Sequence, residues 1–283
     1  MRLRSLLFVP GDRPERFAKA AASGADAIIL DLEDSVSPAN KDAARHAVAD
    51  YLAGAREVVT LVRINPLEGH MAAADIAAVI GGRPDAIMLP KAEGAASIAQ
   101  LDLILRSESA ADASLPAILP IATETPSAIF TLGSYREAKD RLLGLTWGAE
   151  DLPAAIGAAT SRNPDGSYTS PYEVARSLTL FAAHGAGVAA IDTVFPAIKD
   201  EAGLAAYAAR ARRDGFTGMM AIHPSQVEPI NAAFTPAAEE VARAQAIVDA
   251  FAANPGVGVL QVDGKMVDAP HLKQAQHLLS LAD

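Results

Sequence analysis

The chain has 283 residues, of which 51% are hydrophobic and 20% are charged, so it is long enough to bury a large core. Its 34 Asp and Glu residues outnumber its 24 Lys and Arg residues, and the net charge of −10 argues against binding to nucleic acid or to an anionic membrane. The absence of cysteine excludes disulfides, thiolate metal sites and cysteine nucleophiles. The apolar run at 6–10 is too short for a signal peptide, and no stretch reaches the roughly 20 apolar residues of a membrane span, so we expect a cytoplasmic protein.

Short apolar runs recur eight times along the chain and are separated by Ala-rich segments of helical periodicity. The runs are nearly continuous in apolar residues, which is typical of parallel strands that are buried on both faces. Proline residues mark the expected first turns of three of the helices. We predict strands at 6–9, 27–32, 58–64, 86–89, 116–122, 142–147, 190–195 and 218–222, and helices at 14–23, 38–52, 72–80, 95–106, 126–138, 172–184 and 201–212.

Eight strand–helix units in residues 1–234 predict a closed (β/α)8 barrel of the TIM type, with an open doubly wound sheet as the alternative. Polar residues follow strand after strand. A closed barrel would bring them to one mouth, whereas an open sheet would spread them along an edge, so their recurrence favours the barrel. The polar, turn-rich segment at 161–170 is predicted to be a surface insertion.

Residues 235–283 exceed what a barrel requires, and we predict a C-terminal helical and lid extension. The pattern indicates a helix at 235–253, an irregular stretch at 254–270 with three glycines, and a short helix from His271. Such a segment is expected to form a lid or an arm that packs on a neighbouring subunit. Asp268, taken alone, is predicted to cap the last helix.

Two acids, Glu124 and Asp151, each follow a predicted strand, with no lysine immediately beside them in the sequence. A barrel would place both carboxylates on one rim, and hard divalent cations often take only one or two protein carboxylates. The pair therefore predicts a magnesium site, although each acid alone is also suited to a helix N-terminus. Gly148 and Ala149 lie just before Asp151, where backbone N–H groups at a helix start suit a substrate carboxylate.

Three further acids, Asp31, Glu33 and Asp34, crowd into one turn and require cations nearby. In one interpretation they pair with Lys41 and Arg45 on the next helix. In the other, Glu33 or Asp34 orients a metal-bound water or a positioning arginine.

Arg63 ends the third predicted strand, where a guanidinium suits bidentate capture of a carboxylate. Pairing with the acids of the preceding strand end is the alternative, and both roles can hold at once. The six histidines form no metal-spaced pair, and no nucleophile elbow, dinucleotide fingerprint or P-loop is present.

Eight short motifs occur in order across nearly the whole chain: FVPG at 8–11, DLEDSV at 31–36, RIN at 63–65, LPK at 89–91, ET at 124–125, GAED at 148–151, IHPSQ at 222–226 and GKMVDAP at 264–270. Together they resemble the citrate lyase beta subunit family. These proteins are acyl-CoA lyases within the metal-dependent HpcH/HpaI aldolase-like superfamily, which also includes malyl-CoA lyase.

The resemblance implies a (β/α)8 barrel that assembles as a trimer or hexamer. Mg²⁺, or Mn²⁺ in its place, would be held by Glu124 and Asp151. Arg63 would bind the substrate carboxylate with Glu33 beside it, and Asp268 would reach into a neighbouring subunit's mouth as acid or base. The phosphates of CoA would be bound by basic residues near the N-terminus: Arg13, with Lys19, Lys41 or Arg45.

The implied reaction is carbon–carbon cleavage of a 3-hydroxyacyl-CoA. Citryl-CoA would give oxaloacetate and acetyl-CoA, and citramalyl-CoA would give pyruvate and acetyl-CoA. A class II aldolase acting on free 2-keto acids is one alternative. Another is the beta subunit of a citrate lyase complex, which would act on an acyl-carrier-protein thioester together with alpha and acyl-carrier subunits. The same site would serve either carrier, so the sequence leaves these alternatives open.

Overall fold

Eight short parallel strands form one sheet in the computed structural model, which describes residues 2–282. The prediction of eight strands is confirmed. They are β1 Ser5–Pro10, β2 Ala27–Asp31, β3 Val59–Arg63, β4 Ala86–Leu89, β5 Ala117–Pro120, β6 Gly144–Thr146, β7 Ala189–Asp192 and β8 Gly218–Ala221.

The hydrogen-bonded strand order is β5-β4-β3-β2-β1-β8-β7-β6. Two parallel bridges, Ile118 to Leu142 and Ile121 to Thr146, then join β5 to β6 across the remaining gap. The sheet is therefore a nearly closed barrel of the TIM type. The predicted barrel is confirmed, and the open-sheet alternative is wrong.

Apolar side chains fill the interior of the barrel. The strands do not alternate polar and apolar residues, because helices cover their outer face and the barrel interior covers their inner face. Strand β2, for example, is buried at all five positions. The interior cluster includes Leu6, Ile29, Leu61, Met88, Leu119, Ile191 and Met220.

Nine α-helices occur in residues 2–234. All predicted helices are present, and the structure adds a short helix after β6 and another after β8. Among the described residues, every helix is too short or too polar to cross a bilayer. The helices are α1 Phe17–Ala21, α2 Lys41–Ala53, α3 Met71–Val79, α4 Ala95–Glu108, α5 Pro126–Thr131, α6 Asp151–Ile156, α7 Ser170–Ala186, α8 Glu201–Asp214 and α9 Val227–Phe234.

The polar segment at 161–170 is only partly a surface insertion. Tyr168 is buried and packs edge-on against Trp147, with ring centroids 5.0 Å apart. Arg162 donates a hydrogen bond of 2.6 Å to the Tyr168 hydroxyl. The prediction was wrong for Tyr168 because one aromatic ring within a polar run is enough to anchor the segment to the barrel.

Residues 232–282 belong to a second compact unit, separate from Leu3–Asn231. It contains α10 Ala238–Ala253, the antiparallel strands β9 Val259–Val262 and β10 Lys265–Asp268, and α11 Ala269–Ala282. Its own core is built from Ala244, Ile247, Val267 and Ala275.

The prediction of an irregular stretch at 254–270 is wrong, because the stretch contains a β-hairpin. Asp263 and Gly264 connect the two strands, with φ of 48° and 73°. An Asp-Gly pair with positive φ at both positions is a preferred two-residue hairpin turn. The dipeptide in the sequence was the signal that could have revealed the hairpin.

We expect Gly218→Ala to destabilise the barrel. A Cβ at this position would lie 1.9 Å from the carbonyl oxygen of Leu3, which precedes β1. Because backbone must move to admit it, we expect a loss of about 1 to 3 kcal/mol in the free energy of unfolding, measured by urea denaturation. The matched control is Gly185→Ala near the end of α7, where the added Cβ meets nothing within 4 Å. A Gly218 variant as stable as this control would contradict the predicted close approach.

Candidate active site

A cavity of about 330 Å³ opens at the carboxyl ends of the barrel strands. Polar side chains from β2, β3 and the segments after β5 and β6 converge there, as expected for a TIM barrel. Its lining includes Asp31, Arg63, Glu124, Gly148, Ala149 and Asp151. The structure therefore brings the predicted metal pair, the predicted arginine and the predicted carboxylate-binding backbone into one cavity.

Asp31 and Arg63 form a bidentate ion pair at the ends of β2 and β3. Arg63 donates from Nε and Nη2 to the two carboxylate oxygens of Asp31, at 2.7 and 2.6 Å. Burial raises the pKa of Asp31, but the hydrogen bonds and charge of Arg63 outweigh burial and hold that pKa below its usual value. The predicted pairing of Arg63 with the acids of this turn is confirmed.

Glu33 lies between two cations. Its Oε2 is 3.0 Å from Nη1 of Arg63, and its Oε1 accepts a hydrogen bond of 2.9 Å from Nζ of Lys91. Burial nevertheless raises the pKa of Glu33, against the effect of Arg63 and Lys91. Glu33 is thus beside Arg63, as the resemblance implies.

Glu124 is buried, and it does not cap a helix. Thr125 caps α5 instead, because its side chain accepts the N–H of Ala128. The Oε2 atom of Glu124 accepts the backbone N–H of Lys91 at 2.6 Å. Burial, with the nearby charges of Glu33 and Asp151, raises the pKa of Glu124 to about 8, and the hydrogen bond from Lys91 opposes this rise only in part. A carboxylate in this position needs a cation to stay ionised at neutral pH.

Asp151 is the first residue of α6 and, unlike Glu124, is partly exposed. Gly148 lies directly against Glu124, because a Cβ there would come within 2.8 Å of Glu124 Cγ. The hydroxyl of Thr123 bonds to both the N–H and the carbonyl of Gly148, at 3.2 and 3.3 Å. These contacts fix the backbone that leads to Ala149 and Asp151, beside Glu124.

Lys91 is the site residue that the sequence analysis missed. Although no lysine neighbours the metal pair in the sequence, the ammonium of Lys91 lies 3.5 Å from Asp151 Oδ2, and its backbone bonds to Glu124. A lysine that is distant in the sequence is therefore adjacent to the pair in the structure. The signal was present as a lysine that follows a predicted strand, within the LPK motif.

A second buried charge centre lies behind the segment that carries Asp151. Asp192, at the end of β7, accepts hydrogen bonds from Trp147 Nε1 at 2.6 Å and from Tyr207 Oη at 3.1 Å. Its other oxygen accepts from Nε and Nη2 of Arg176, at 3.0 and 2.8 Å. The end of β6 is thus tied to β7 and to the surrounding helices.

Two of the four cations predicted to bind CoA phosphates are engaged elsewhere. The ammonium of Lys41 binds the carbonyl oxygens of Leu32 and Glu33 and the side chain of Asn65. Arg45 binds Asp75 and Asp42, at 2.7 and 2.6 Å. These contacts argue against both residues as phosphate ligands. They also correct the alternative in which Lys41 and Arg45 pair with the acids at 31–34. Arg13 and Lys19 remain exposed.

Asp268 lies in the second unit, at the junction of β10 and α11. Its Oδ1 accepts the backbone N–H of His271 at 3.5 Å and contacts His271 Nδ1 at 2.5 Å. The helix-cap arrangement predicted for Asp268 is therefore present. The hydrogen bond from His271 lowers the pKa of Asp268, which favours its carboxylate form.

The residues at the cavity fit a hard divalent cation. In residues 2–282, no group of three or more His, Cys, Asp or Glu side chains is arranged to hold a metal. Glu124 and Asp151 nevertheless line the same cavity, and the buried Glu124 lacks a full counter-charge. Two carboxylates with other positions left to water and substrate are a usual donor set for magnesium.

Comparison with known proteins decides the family. Residues 4–224 match HpcH/HpaI aldolase/citrate lyase. The chain belongs to this family. The family match and the relatives named citrate lyase subunit beta indicate that this chain is a lyase-type enzyme.

Several relatives align over nearly the full length. A citrate lyase subunit beta-like protein from Mycobacterium tuberculosis is 39% identical, covering 98% of this chain and 94% of the relative. The citrate lyase subunit beta of Escherichia coli is 36% identical, covering 99% of this chain and 93% of the relative. A (3S)-malyl-CoA thioesterase from Cereibacter sphaeroides is 35% identical, covering 99% of this chain and 94% of the relative.

A solved structure also aligns over nearly the whole chain. CitE of M. tuberculosis, in complex with magnesium, acetoacetate and coenzyme A, has a TM-score of 0.82 and 37% identity, and the alignment covers 99% of this chain and 97% of that one. The barrel of this chain is therefore the fold of the family.

We expect the stability of the metal-free protein to depend on the ionisation of Glu124. Its folded pKa, about 8, lies above the ordinary value of 4.5, so the folded state binds this proton more tightly than the unfolded state does. The free energy of unfolding should therefore fall as pH rises from about 5 to about 8. Glu124→Gln should remove the part of this decrease that comes from ionisation of Glu124. Urea unfolding in EDTA across that range measures it. The exposed Glu137→Gln is the control, and parallel curves for all three proteins would contradict the prediction.

Proposed function

We propose that this protein is a magnesium-dependent lyase that cleaves the carbon–carbon bond of a 3-hydroxyacyl-CoA. Citryl-CoA would yield oxaloacetate and acetyl-CoA, and citramalyl-CoA would yield pyruvate and acetyl-CoA. The observation that carries the proposal is one cavity in which Glu124 and Asp151 lie with a partly buried arginine, Arg63. The CitE structure that holds magnesium, acetoacetate and coenzyme A supports the assignment of ligands.

In this proposal Glu124 and Asp151 hold the metal. Magnesium, when bound there, acts as a Lewis acid that makes a substrate hydroxyl more acidic. Gly148 leaves space beside Glu124 that a larger residue would fill. The N–H of Ala149 is assigned to the substrate carboxylate, whereas the N–H of Gly148 already donates to the Thr123 hydroxyl. The two acids themselves carry no proton in the reaction.

Arg63 is assigned to the substrate carboxylate. Its bidentate bond to Asp31 fixes the guanidinium plane and leaves donors free, because arginine has five N–H groups. Glu33 lies beside the same guanidinium and steadies it from a second direction. A substrate carboxylate on Arg63 would lie in the same cavity as the metal pair.

Asp268 of a neighbouring subunit is assigned to proton transfer at the carbon next to the thioester. Its hydrogen bond to His271 favours the carboxylate, which is the form that removes a proton in the condensing direction. The conjugate acid returns that proton to the enolate carbon during cleavage. Arg13 and Lys19, which are exposed, are assigned to the phosphates of CoA.

The assembly in this proposal is a cytoplasmic homotrimer or hexamer. A subunit-to-subunit site requires at least two copies, and cyclic assemblies supply one complete site per copy. The relatives named citrate lyase subunit beta also support a variant of the proposal, in which the chain works with alpha and acyl-carrier subunits on a carrier-protein thioester.

Two alternative reactions give different products. A class II aldolase would act on free 2-keto acids and would need no CoA. The relative named (3S)-malyl-CoA thioesterase favours a second candidate, hydrolysis of the thioester, which would release a free hydroxy acid and CoA instead of a keto acid and acetyl-CoA.

The first prediction from the proposal concerns the metal pair. With magnesium, wild-type protein should release a keto acid and acetyl-CoA from at least one of citryl-, citramalyl- and malyl-CoA. Glu124→Ala and Asp151→Ala should each lower this rate by about 100-fold or more, because the metal's contribution is lost. Coupled assays of keto acid and acetyl-CoA measure the products.

The control for the metal pair is Asp112→Ala, an exposed acid in the loop between α4 and β5, at the far end of the barrel. It should keep the wild-type rate. Circular dichroism checks that all variants fold. A folded Glu124 or Asp151 variant with full activity would refute the metal assignment, and hydroxy acid as the only product would favour the thioesterase.

The second prediction concerns Asp268. Asp268→Asn should lower kcat by about 100-fold or more while the affinity for acyl-CoA changes little, because only proton transfer is lost. Lys265→Gln, in the same strand β10, is the matched control and should retain the wild-type kcat.

Subunit mixing tests whether Asp268 acts across subunits. Inactive Asp268→Asn protein has an intact barrel mouth, and inactive Glu124→Ala protein has an intact Asp268. After the two are unfolded together and refolded, hybrid assemblies should regain activity if one subunit completes the other's site. A mixture as inactive as its parents would place Asp268 outside the neighbour's site.

A further inference from the structure

Lys91 contacts three carboxylates from three different segments of the barrel mouth. Its Nζ lies 2.9 Å from Glu33 Oε1, which follows β2, and 3.5 Å from Asp151 Oδ2, which begins α6. Its backbone N–H donates to Glu124 Oε2, which follows β5, at 2.6 Å. One residue after β4 thus links the acids that follow β2, β5 and β6.

The backbone of Lys91 is left-handed, with φ of 51°. This conformation is unfavourable for a residue with a side chain, and it persists where the surrounding structure holds it. Here it accompanies the hydrogen bond from Lys91 N–H to Glu124 and the reach of the ammonium to Glu33 and Asp151. The backbone and the side chain of Lys91 therefore contact one group of acids, which we call the acid cluster: Glu33, Glu124 and Asp151.

Asp151 both lines the cavity and contacts the ammonium of Lys91. In the described structure, Asp151 and Glu124 line the cavity, while Lys91 and Glu33 are outside its lining. Lys91 therefore meets Asp151 Oδ2 as part of the wall around the cavity. A cation in contact with a metal ligand neutralises it when no metal is bound, and it competes with a metal for the same negative charge.

We propose that Lys91 is a positioning residue that acts as an internal counter-cation. It stabilises the acid cluster of the metal-free protein and weakens the binding of the divalent cation by competing for Asp151. Lys91 thereby sets the metal affinity of the site. This inference rests on the proposed magnesium site at Glu124 and Asp151.

The test is calorimetric titration of Mg²⁺ into EDTA-treated, dialysed protein. Lys91→Met should bind Mg²⁺ about fivefold more tightly than wild type, the size expected when one partly exposed ion pair is lost. Its metal-free form should melt at a lower temperature than wild type, and saturating Mg²⁺ should raise its melting temperature by more. Lys91→Arg, which keeps the positive charge, should retain the affinity of wild type.

The direction in which Mg²⁺ affinity changes in Lys91→Met distinguishes a competing counter-cation from a residue that only supports the fold. A lysine that only supported the fold would, when removed, loosen Glu124 and Asp151 and weaken Mg²⁺ binding. Lys139→Met removes the same charge from an exposed position outside the site and should leave the Mg²⁺ affinity unchanged.

Each outcome of the titration supports or overturns the inference. A folded Lys91→Met protein with unchanged or weaker Mg²⁺ binding overturns it while leaving the proposed function in place. Wild-type protein that binds no Mg²⁺ overturns both. If Lys91→Met does not fold, Lys91→Gln takes its place with the same expected tightening and the same overturning result.

Discussion

The buried ion pair between Asp31 and Arg63 is the interaction on which the barrel mouth depends. The two residues are register partners at the ends of β2 and β3, so strand pairing itself brings the carboxylate and the guanidinium together. Buried charges are costly unless they are paired and hydrogen-bonded, and this pair meets that condition with two short bonds. Arg63 is thereby held at the cavity, and Glu33 lies beside it.

The acids that remain outnumber the cations available to them. Glu33 and Asp151 both contact the ammonium of Lys91, and Glu33 also contacts Arg63. Glu124 accepts the uncharged backbone N–H of Lys91. The raised pKa of Glu124 is the consequence of this shortage together with burial. A divalent cation at the cavity would relieve it. The fold therefore prepares a site whose negative charge is incompletely balanced by the chain's own residues, which is the physical basis of metal affinity.

Which residues reach the mouth was predictable from the sequence, but which atoms they contact was not. Glu124 and Asp151 follow apolar runs, and parallel strands in a barrel present every such end on one side. The contacts of Lys91 could not be predicted, because they depend on a left-handed φ and on the pairing of β4 with β5. The ammonium of Lys41 binds carbonyl oxygens instead of the carboxylates predicted as its partners, because a cation on a helix can also bind backbone carbonyls. The hairpin at Asp263, by contrast, had a readable Asp-Gly signal.

A second buried pair, Arg176 with Asp192, anchors the start of the segment 148–151. Asp192 also accepts the indole N–H of Trp147, and Trp147 directly precedes the segment 148–151 that carries Asp151. The start of that segment is thus fixed by charges that take no part in the cavity. Order established before binding lowers the entropic cost of binding, so a ligand-bearing segment anchored in this way favours metal uptake. The two Arg–Asp pairs of the barrel therefore have different effects. The pair on β2 and β3 holds the guanidinium of Arg63 at the cavity, and the pair at β7 fixes the backbone that leads to the carboxylate of Asp151.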